Sequence, residues 1–275
     1  EMTSLLSHRG PDQSGSYTDE FVSLGHRRLS IIDLSEDGKQ PMSNEDDTIW
    51  IVFNGEIYNY KELRVKLEER KHTFKSKTDT EVIIHAYEEY GEKCVELFNG
   101  DFAFAIYDVN KKSLFMARDR LGIKPLYYTV VDGHFYFASE IKAILSSPEV
   151  KRKVNVQALN FYLTFFANPL AETMFQGIYK LLPGHTLRWE QGKVTIEKYW
   201  DLEMKPQKMS LSTAQEELQR LLRDSVEKRL MSDVPLGVYL SGGVDSGSVV
   251  SLMSTFSEKI KTFSVGFEGH SELSQ

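Results

Sequence analysis

Phe102-Ala-Phe-Ala-Ile-Tyr107, closed by Asp108 and followed by Ser113-Leu-Phe-Met-Ala-Arg118, is the longest apolar run of this 275-residue chain and the segment after it. It falls far short of the ~18 apolar residues that a membrane-spanning helix needs. Its length and its aromatic content read as one buried strand. Working outward, Phe21–Leu34, Thr48–Phe53, Tyr127–Val131 and Phe135–Ala138 repeat the same composition between Gly, Asp and Asn residues, so they read as further strands. Asp132–Gly133 is a hairpin turn signal. Two helices interrupt the series. One begins at Asn59, which has capping-box spacing to Glu62 ahead of Leu63 and Leu67. The other begins near Asp79, with Val82, Ile83, Ala86 and Tyr87 on one face and Gly91 as its stop. Residues 155–166 read as helix, and residues 178–200 as a hairpin turning at Glu190–Gly192. Antiparallel strands with segregated helices predict an α+β layered domain.

Composition narrows the class. A hydrophobic fraction of 41% and a charged fraction of 27% are ordinary globular values. The net charge of −7 is the wrong sign for a nucleic-acid footprint. Cys94 is the single cysteine, so neither an intrachain disulfide nor a thiolate metal cluster can form. No secretory signal pattern is present, and the expected setting is cytoplasmic, away from membranes. The chain opens on Glu1 already within an apolar segment. Thr262–Gly266 reads as a buried strand near the other end, so a piece cut at both ends is expected. The length suggests two domains. Residues 1–205 form the first and 206–275 the beginning of the second, with the boundary in the unpatterned Asp201–Ser210. Thr213–Leu230 follows as an amphipathic helix with Leu218, Leu221, Leu222, Val226 and Leu230 as its stripe and Ser212 as its cap. Strand Leu236–Leu240, a glycine loop, helix Ser246–Ser254 and strand Lys261–Val265 then give the β-loop-α-β order of a parallel sheet.

The loop is Ser241-Gly-Gly-Val-Asp-Ser246. Glycines allow close approach to an anion, and the helix N-terminus offers unpaired N–H groups with partial positive charge. The residues equally suit a tight capped connection. There is no Walker A lysine, and Asp245 beside a phosphate calls for Mg²⁺ between them. In the first domain, His8–Asp12, His26–Asp33, Asn54–Asn59 and Arg118–Pro125 each place polar groups at a strand end or turn. Asn54–Gly55 reads as a hairpin turn or as an oxyanion hole built from a side-chain amide and a backbone N–H. Arg28 reads as a surface ion pair or a carboxylate fork, and Asp79 as a helix cap or an ammonium partner together with Glu56. His8–Asp12 reads as a shaped loop, Arg118-Asp119 and Gly122–Pro125 as a salt-bridged turn, and His85 and His185 as structural.

Taken together, these motifs resemble the glutamine-hydrolysing asparagine synthetase family across essentially the whole chain. That family joins an N-terminal-nucleophile glutamine amidotransferase domain to an ATP-pyrophosphatase domain. The resemblance implies a four-layer αββα sandwich of antiparallel sheets followed by the start of an α/β parallel sheet. It implies glutamine held by Arg28 at its α-carboxylate and by Asp79 and Glu56 near its ammonium. Leu29, Ser30, Ile31 and Ile32 would form the adjoining wall, with Asn54 and Gly55 as the oxyanion hole. In the second domain it implies Ser241, Gly242, Gly243, Asp245 and Ser246 on the pyrophosphate or its Mg²⁺, with Asp245 as the metal ligand. Tyr239 and Val265 would hold adenosine through their backbones, Tyr239 standing where the family usually has Leu.

The family's nucleophile is an N-terminal cysteine whose thiolate forms a glutamyl thioester. Cys94 is far from that place in motif order and reads as a buried small hydrophobe, so this stretch alone is expected to bind glutamine poorly and not hydrolyse it. The resemblance implies ammonia delivered to aspartate activated as β-aspartyl-AMP with Mg-ATP. The partners are then glutamine, aspartate and ATP, with no nucleic acid and no membrane, and with a homodimer as the assembly to test. A relative amidating another carboxylate (β-lactam-forming or polysaccharide-modifying) and a non-catalytic glutamine or nucleotide sensor are the alternatives.

Overall fold

In the computed structural model, which describes residues 1–257 and 259–266, the apolar pair at 102–118 lies at the centre of the largest sheet. In chain order the first unit holds β1 (Gln13–Thr18), β2 (Ser23–Arg28), β3 (Met42–Ser43), β4 (Ile49–Ile57), α1 (Tyr60–Glu69), α2 (Asp79–Tyr90), β5 (Gly100–Asp108) and β6 (Ser113–Arg118). It continues with β7 (Tyr127–Val131), β8 (His134–Ala138), α3 (Ile141–Ile144), α4 (Val156–Phe165), β9 (Tyr179–Lys180), β10 (His185–Glu190) and β11 (Lys193–Lys198). The large sheet runs β11-β10-β6-β5-β4-β3, antiparallel throughout.

β5 is apolar along both faces because both are covered. On one face Tyr87 of α2 stacks on Phe115 of β6, and Phe98 packs edge-on against Phe102 and Phe104. On the other, Ala103, Ala105, Tyr107, Leu114, Met116 and Leu187 meet Leu24 and Tyr128 from the two smaller sheets, β1-β2 and β8-β7-β9, and Leu126 and Leu181, which flank β7 and β9. α3 covers the far side, where Ala143 and Ile144 pack with Tyr127, Val131 and Ala138. Helix, sheet, sheet, helix: the domain is a four-layer αββα sandwich of antiparallel sheets. Each fully buried large apolar side chain contributes about 1.5–3 kcal/mol.

Glu203–Gln275 form a second compact unit. It carries α5 (Leu211–Lys228), β12 (Gly237–Tyr239), α6 (Val244–Met253) and β13 (Lys261–Phe263). β12 and β13 pair parallel, Tyr239 opposite Phe263, which is the β-loop-α-β order expected.

Several local readings need correction. Residues 29–34 are not strand: β2 ends at Arg28, and its partner β1 is a polar strand with alternating burial that composition did not reveal. Thr78, not Asp79, caps α2, its hydroxyl accepting from Glu81 N–H. Ser210, not Ser212, caps α5. Asn59 stands at the N-cap of α1 without capping it: its amide donates to Leu97 O at 3.0 Å and accepts from Asn99 N at 2.9 Å. Leu218, Leu221 and Leu222 are exposed while Val226 is buried, and β13 is exposed rather than buried. The Arg118–Asp119 turn is held by backbone bonds. Arg118 donates to the carbonyls of Gly122, Lys124 and Leu181, and Asp119 accepts from the amides of Phe102, Leu121, Ile123 and Lys124. Asp132 and Gly133 both take positive φ between β7 and β8, as a two-residue hairpin turn requires.

Candidate functional site

A cavity of about 1300 Å³ opens in the first unit. Its wall includes Arg28, Leu29, Ile31 and Ile32 from the end of β2 and the loop after it, Asn54, Gly55 and Glu56 from β4, and Asp79 from the first turn of α2. Ser30 is not part of the wall; its N–H donates to Asp12 Oδ2 at 2.8 Å, which fixes the loop on which Leu29 and Ile31 stand.

Asn54 and Gly55 are not a turn. They lie inside β4, opposite Ala103 and Phe102 of β5. A side chain at Gly55 would meet Asp101 O at 2.2 Å and Phe102 Cα at 2.7 Å, so the close approach of the two strands requires glycine there. Asn54 Nδ2 is buried and makes no hydrogen bond among the described residues. A buried donor without a partner loses roughly 1–3 kcal/mol, and here it belongs to a side chain on the cavity wall.

The backbone beside it is clamped by Gln40, which sequence reading did not single out, and by His26, which it met only as the first residue of the His26–Asp33 cluster. β3 pairs with β4 only as far as Ile51, opposite Met42. Beyond that, Phe53 N–H donates to Gln40 Oε1 at 2.7 Å, and Phe53 O accepts from His26 Nε2 at 2.9 Å. Gln40 also reaches Thr80 at the start of α2. Because His26 gives its Nε2 proton to a carbonyl, Nδ1 is left as a bare, buried acceptor with no partner. Burial pushes this imidazole down to about 4, and the Arg28 charge adds to it against the Phe53 carbonyl, so His26 is neutral. No local motif announces Gln40, and the His26–Asp33 cluster does not reveal this role of His26, since both side chains act on the main chain of a distant strand.

Arg28 is buried, not a surface ion pair. Its guanidinium donates to Gln13 Oε1 and to the carbonyls of Ile32, Asp33 and Ser35 at 2.6–3.1 Å. It shapes the 29–35 loop from inside. Asp33, at positive φ, ties that loop to the segment just before α2 by accepting from Lys77 N–H at 2.7 Å. Asp79 is buried with Oδ2 accepting from Ile57 N–H at 2.8 Å. Burial pushes its carboxyl up to about 7; Glu56 adds to that rise, and the amides of Ile57 and of the helix start oppose it.

In the second unit, Gly242 takes positive φ and the Ser241 and Ser246 hydroxyls meet at 3.0 Å across the loop. Gly243 is the N-cap residue of α6 and Asp245 lies exposed in its first turn. A side chain at Gly243 would touch only Ser241 Oγ, at 3.6 Å, so the fold by itself does not demand glycine there. Tyr239 and Val265 are exposed at the ends of β12 and just past β13. Cys94 is buried, burial pushes its thiol up, and it does not line the cavity. Among the described residues, no helix is long and apolar enough to cross a membrane.

Residues 1–200 match the family model of the glutamine amidotransferase domain. The chain belongs to this family. Within this glutamine amidotransferase chain, residues 217–275 match a second model, asparagine synthase. The chain is 43% identical to asparagine synthetase [glutamine-hydrolyzing] 1 of Bacillus subtilis over 99% of its own length and 43% of that protein's. It is 39% identical to amidase chyE of Penicillium rubens over 91% of its length and 37% of that protein's. A solved glutamine phosphoribosylpyrophosphate amidotransferase from B. subtilis aligns over 88% of the chain and 50% of its own, at 16% identity and a TM-score of 0.46. The chain thus spans less than half the length of the two curated relatives named.

Proposed function

We propose that the first unit is the glutamine site of a glutamine-hydrolysing asparagine synthetase and the second the start of its ATP site. The observation that carries the reading is the buried, unpartnered Asn54 Nδ2 on the wall of the Arg28–Asp79 cavity. Asn54 and the Gly55 N–H are the two donors for the oxyanion that forms when the side-chain amide of glutamine is attacked. A preorganised donor of this kind contributes roughly 3–4 kcal/mol to the transition state. Asp79, ionised by contact with the substrate, and Glu56 hold the ammonium. Arg28 serves the α-carboxylate, either by exchanging one carbonyl for it or through the loop it supports. Leu29, Ile31 and Ile32 form the wall beside the substrate chain, and Ser30 anchors their loop to Asp12. The thiolate nucleophile comes from outside this stretch, since Cys94 is buried elsewhere.

ATP fits the second unit's loop. Gly242 turns the chain, Gly243 leaves room at the first amides of α6, Ser241 and Ser246 supply hydroxyls, and Asp245 would hold Mg²⁺. Bound Mg²⁺ supplies positive charge against the departing pyrophosphate. Tyr239 and Val265 offer backbone groups to adenosine. The resemblance to synthetases makes aspartate, activated as β-aspartyl-AMP, the acceptor of the ammonia. A relative named an amidase keeps a second reading in view, amide chemistry on a substrate other than aspartate. The test is full-length protein assayed for glutamine- and aspartate-dependent release of AMP and pyrophosphate. ADP with phosphate, or a requirement for another acid, would overturn the assignment.

A further inference from the structure

Outside the cavity lining named above, the loop between α1 and α2 brings His72 beside His85 and Glu88 of α2. Their three ligand atoms lie within 4.8 Å of one another. His85 Nδ1 is 2.7 Å and His72 Nδ1 3.4 Å from the same oxygen, Glu88 Oε2, and the two imidazole rings are 5.0 Å apart. His85 is 1% exposed and Glu88 24%. We infer that these three side chains form a binding site for a divalent metal ion of the zinc type.

The donor set supports the choice. Two imidazoles and one carboxylate suit zinc, and three protein ligands with an open fourth position are a common zinc arrangement. Ligands about 2.0–2.2 Å from a tetrahedral ion stand roughly 3.3–3.6 Å apart, which the His72–Glu88 separation already meets. The His85–Glu88 contact has to open by less than about 1 Å to match. The surrounding groups are arranged as those around metal ligands usually are. Glu88 Oε1 is fixed by Asn44 Nδ2 at 2.8 Å. His72 Nε2 faces Glu89 Oε2 at 3.4 Å, and His85 Nε2, which makes no hydrogen bond, faces Glu81 Oε1 at 3.9 Å. Both histidines therefore turn Nδ1 toward the common point and keep Nε2 toward a carboxylate.

The rival occupant is a proton on His85, leaving only an ion pair with Glu88. With Glu45, Glu81 and Glu89 also facing the cluster, a divalent cation brings more charge into the same acidic field. Its binding would fasten the 71–77 segment to α2, whose first turn carries Asp79. The site stands independently of the glutamine reading.

The test is metal-stripped full-length protein titrated with Zn²⁺ against a chromophoric chelator. One Zn²⁺ per chain is expected, with a Kd below about 1 µM. His72→Ala leaves the His85–Glu88 pair in place and is expected to weaken binding by about 100-fold. Glu88→Gln, still able to accept from His85, serves as the second variant and should also weaken it. Zn²⁺ should raise the Tm of the unaltered protein and not that of His72→Ala. No binding tighter than surface histidines provide, or the same affinity in His72→Ala, overturns the site and leaves an ion-paired imidazolium.

Discussion

Asp79 shows how one residue can be ambiguous in sequence and decided by its surroundings. It follows the true cap, Thr78, and turns its carboxylate inward to Ile57 N–H. Its carboxyl is raised to about 7 in the fold, above an unfolded value of about 3.9. The folded state therefore keeps the extra proton between about pH 4 and pH 7, and stability falls as pH rises through that window. Asp79→Asn is expected to remove this slope, as read from denaturation midpoints measured at several pH values. A cationic ligand reverses the balance, because it favours the carboxylate. Glutamine affinity of the full-length protein should thus tighten between about pH 6 and pH 8, and Asp79→Asn should both weaken binding and flatten that dependence. An unchanged slope in the variant would remove Asp79 from the ammonium site. At Gly55, alanine would drive a methyl into Asp101 O, so Gly55→Ala is expected to lower stability by about 1–3 kcal/mol, measured by denaturant titration.

At the scale of elements, the turn after β6 depends on a single carboxylate. Asp119 is 1% exposed and accepts four backbone amides. Asp119→Ala should cost roughly 3 kcal/mol or more, and Asp119→Asn should recover only part of it because the amide nitrogen meets donors. Full recovery by Asn would mean that shape rather than charge matters in this turn. The strands that sequence reading placed well, β5 through β8, are apolar on both faces or closed by Asp132–Gly133, so local pattern and tertiary role agree. β1 was missed because Gln13-Ser-Gly-Ser-Tyr-Thr18 is mostly polar, pairs with β2, and only half-buries its alternate residues Gln13, Gly15 and Tyr17. Caps slipped where candidates stand side by side, Thr78 with Asp79 and Ser210 with Ser212. Asn59 was recruited by Leu97 and Asn99, far away in sequence. Asn54 and Gly55 read as a turn or as a pair of donors, whereas Gln40 carries no local signal and the cluster that begins at His26 does not tell that its ring sets the strand beside them.

At the scale of the whole molecule, the proposed function divides labour between two units, with glutamine at the cavity in 1–202 and a nucleotide at the loop in 203–275. Asp245→Asn in full-length protein is expected to abolish ATP turnover while glutamine hydrolysis continues, followed by pyrophosphate and glutamate release; loss of both would contradict that division. The most direct measurement is the rate of product formation by full-length Asn54→Ala with glutamine and, separately, with ammonia as nitrogen source. Among the described residues Asn54 Nδ2 holds no other group, so removing it should leave the structure intact. The glutamine-dependent rate should fall about 10²–10³-fold, with the ammonia-dependent rate unchanged. Equal rates with glutamine before and after the substitution, or an equal fall with both nitrogen sources, would contradict the placement of the oxyanion hole at Asn54 and Gly55.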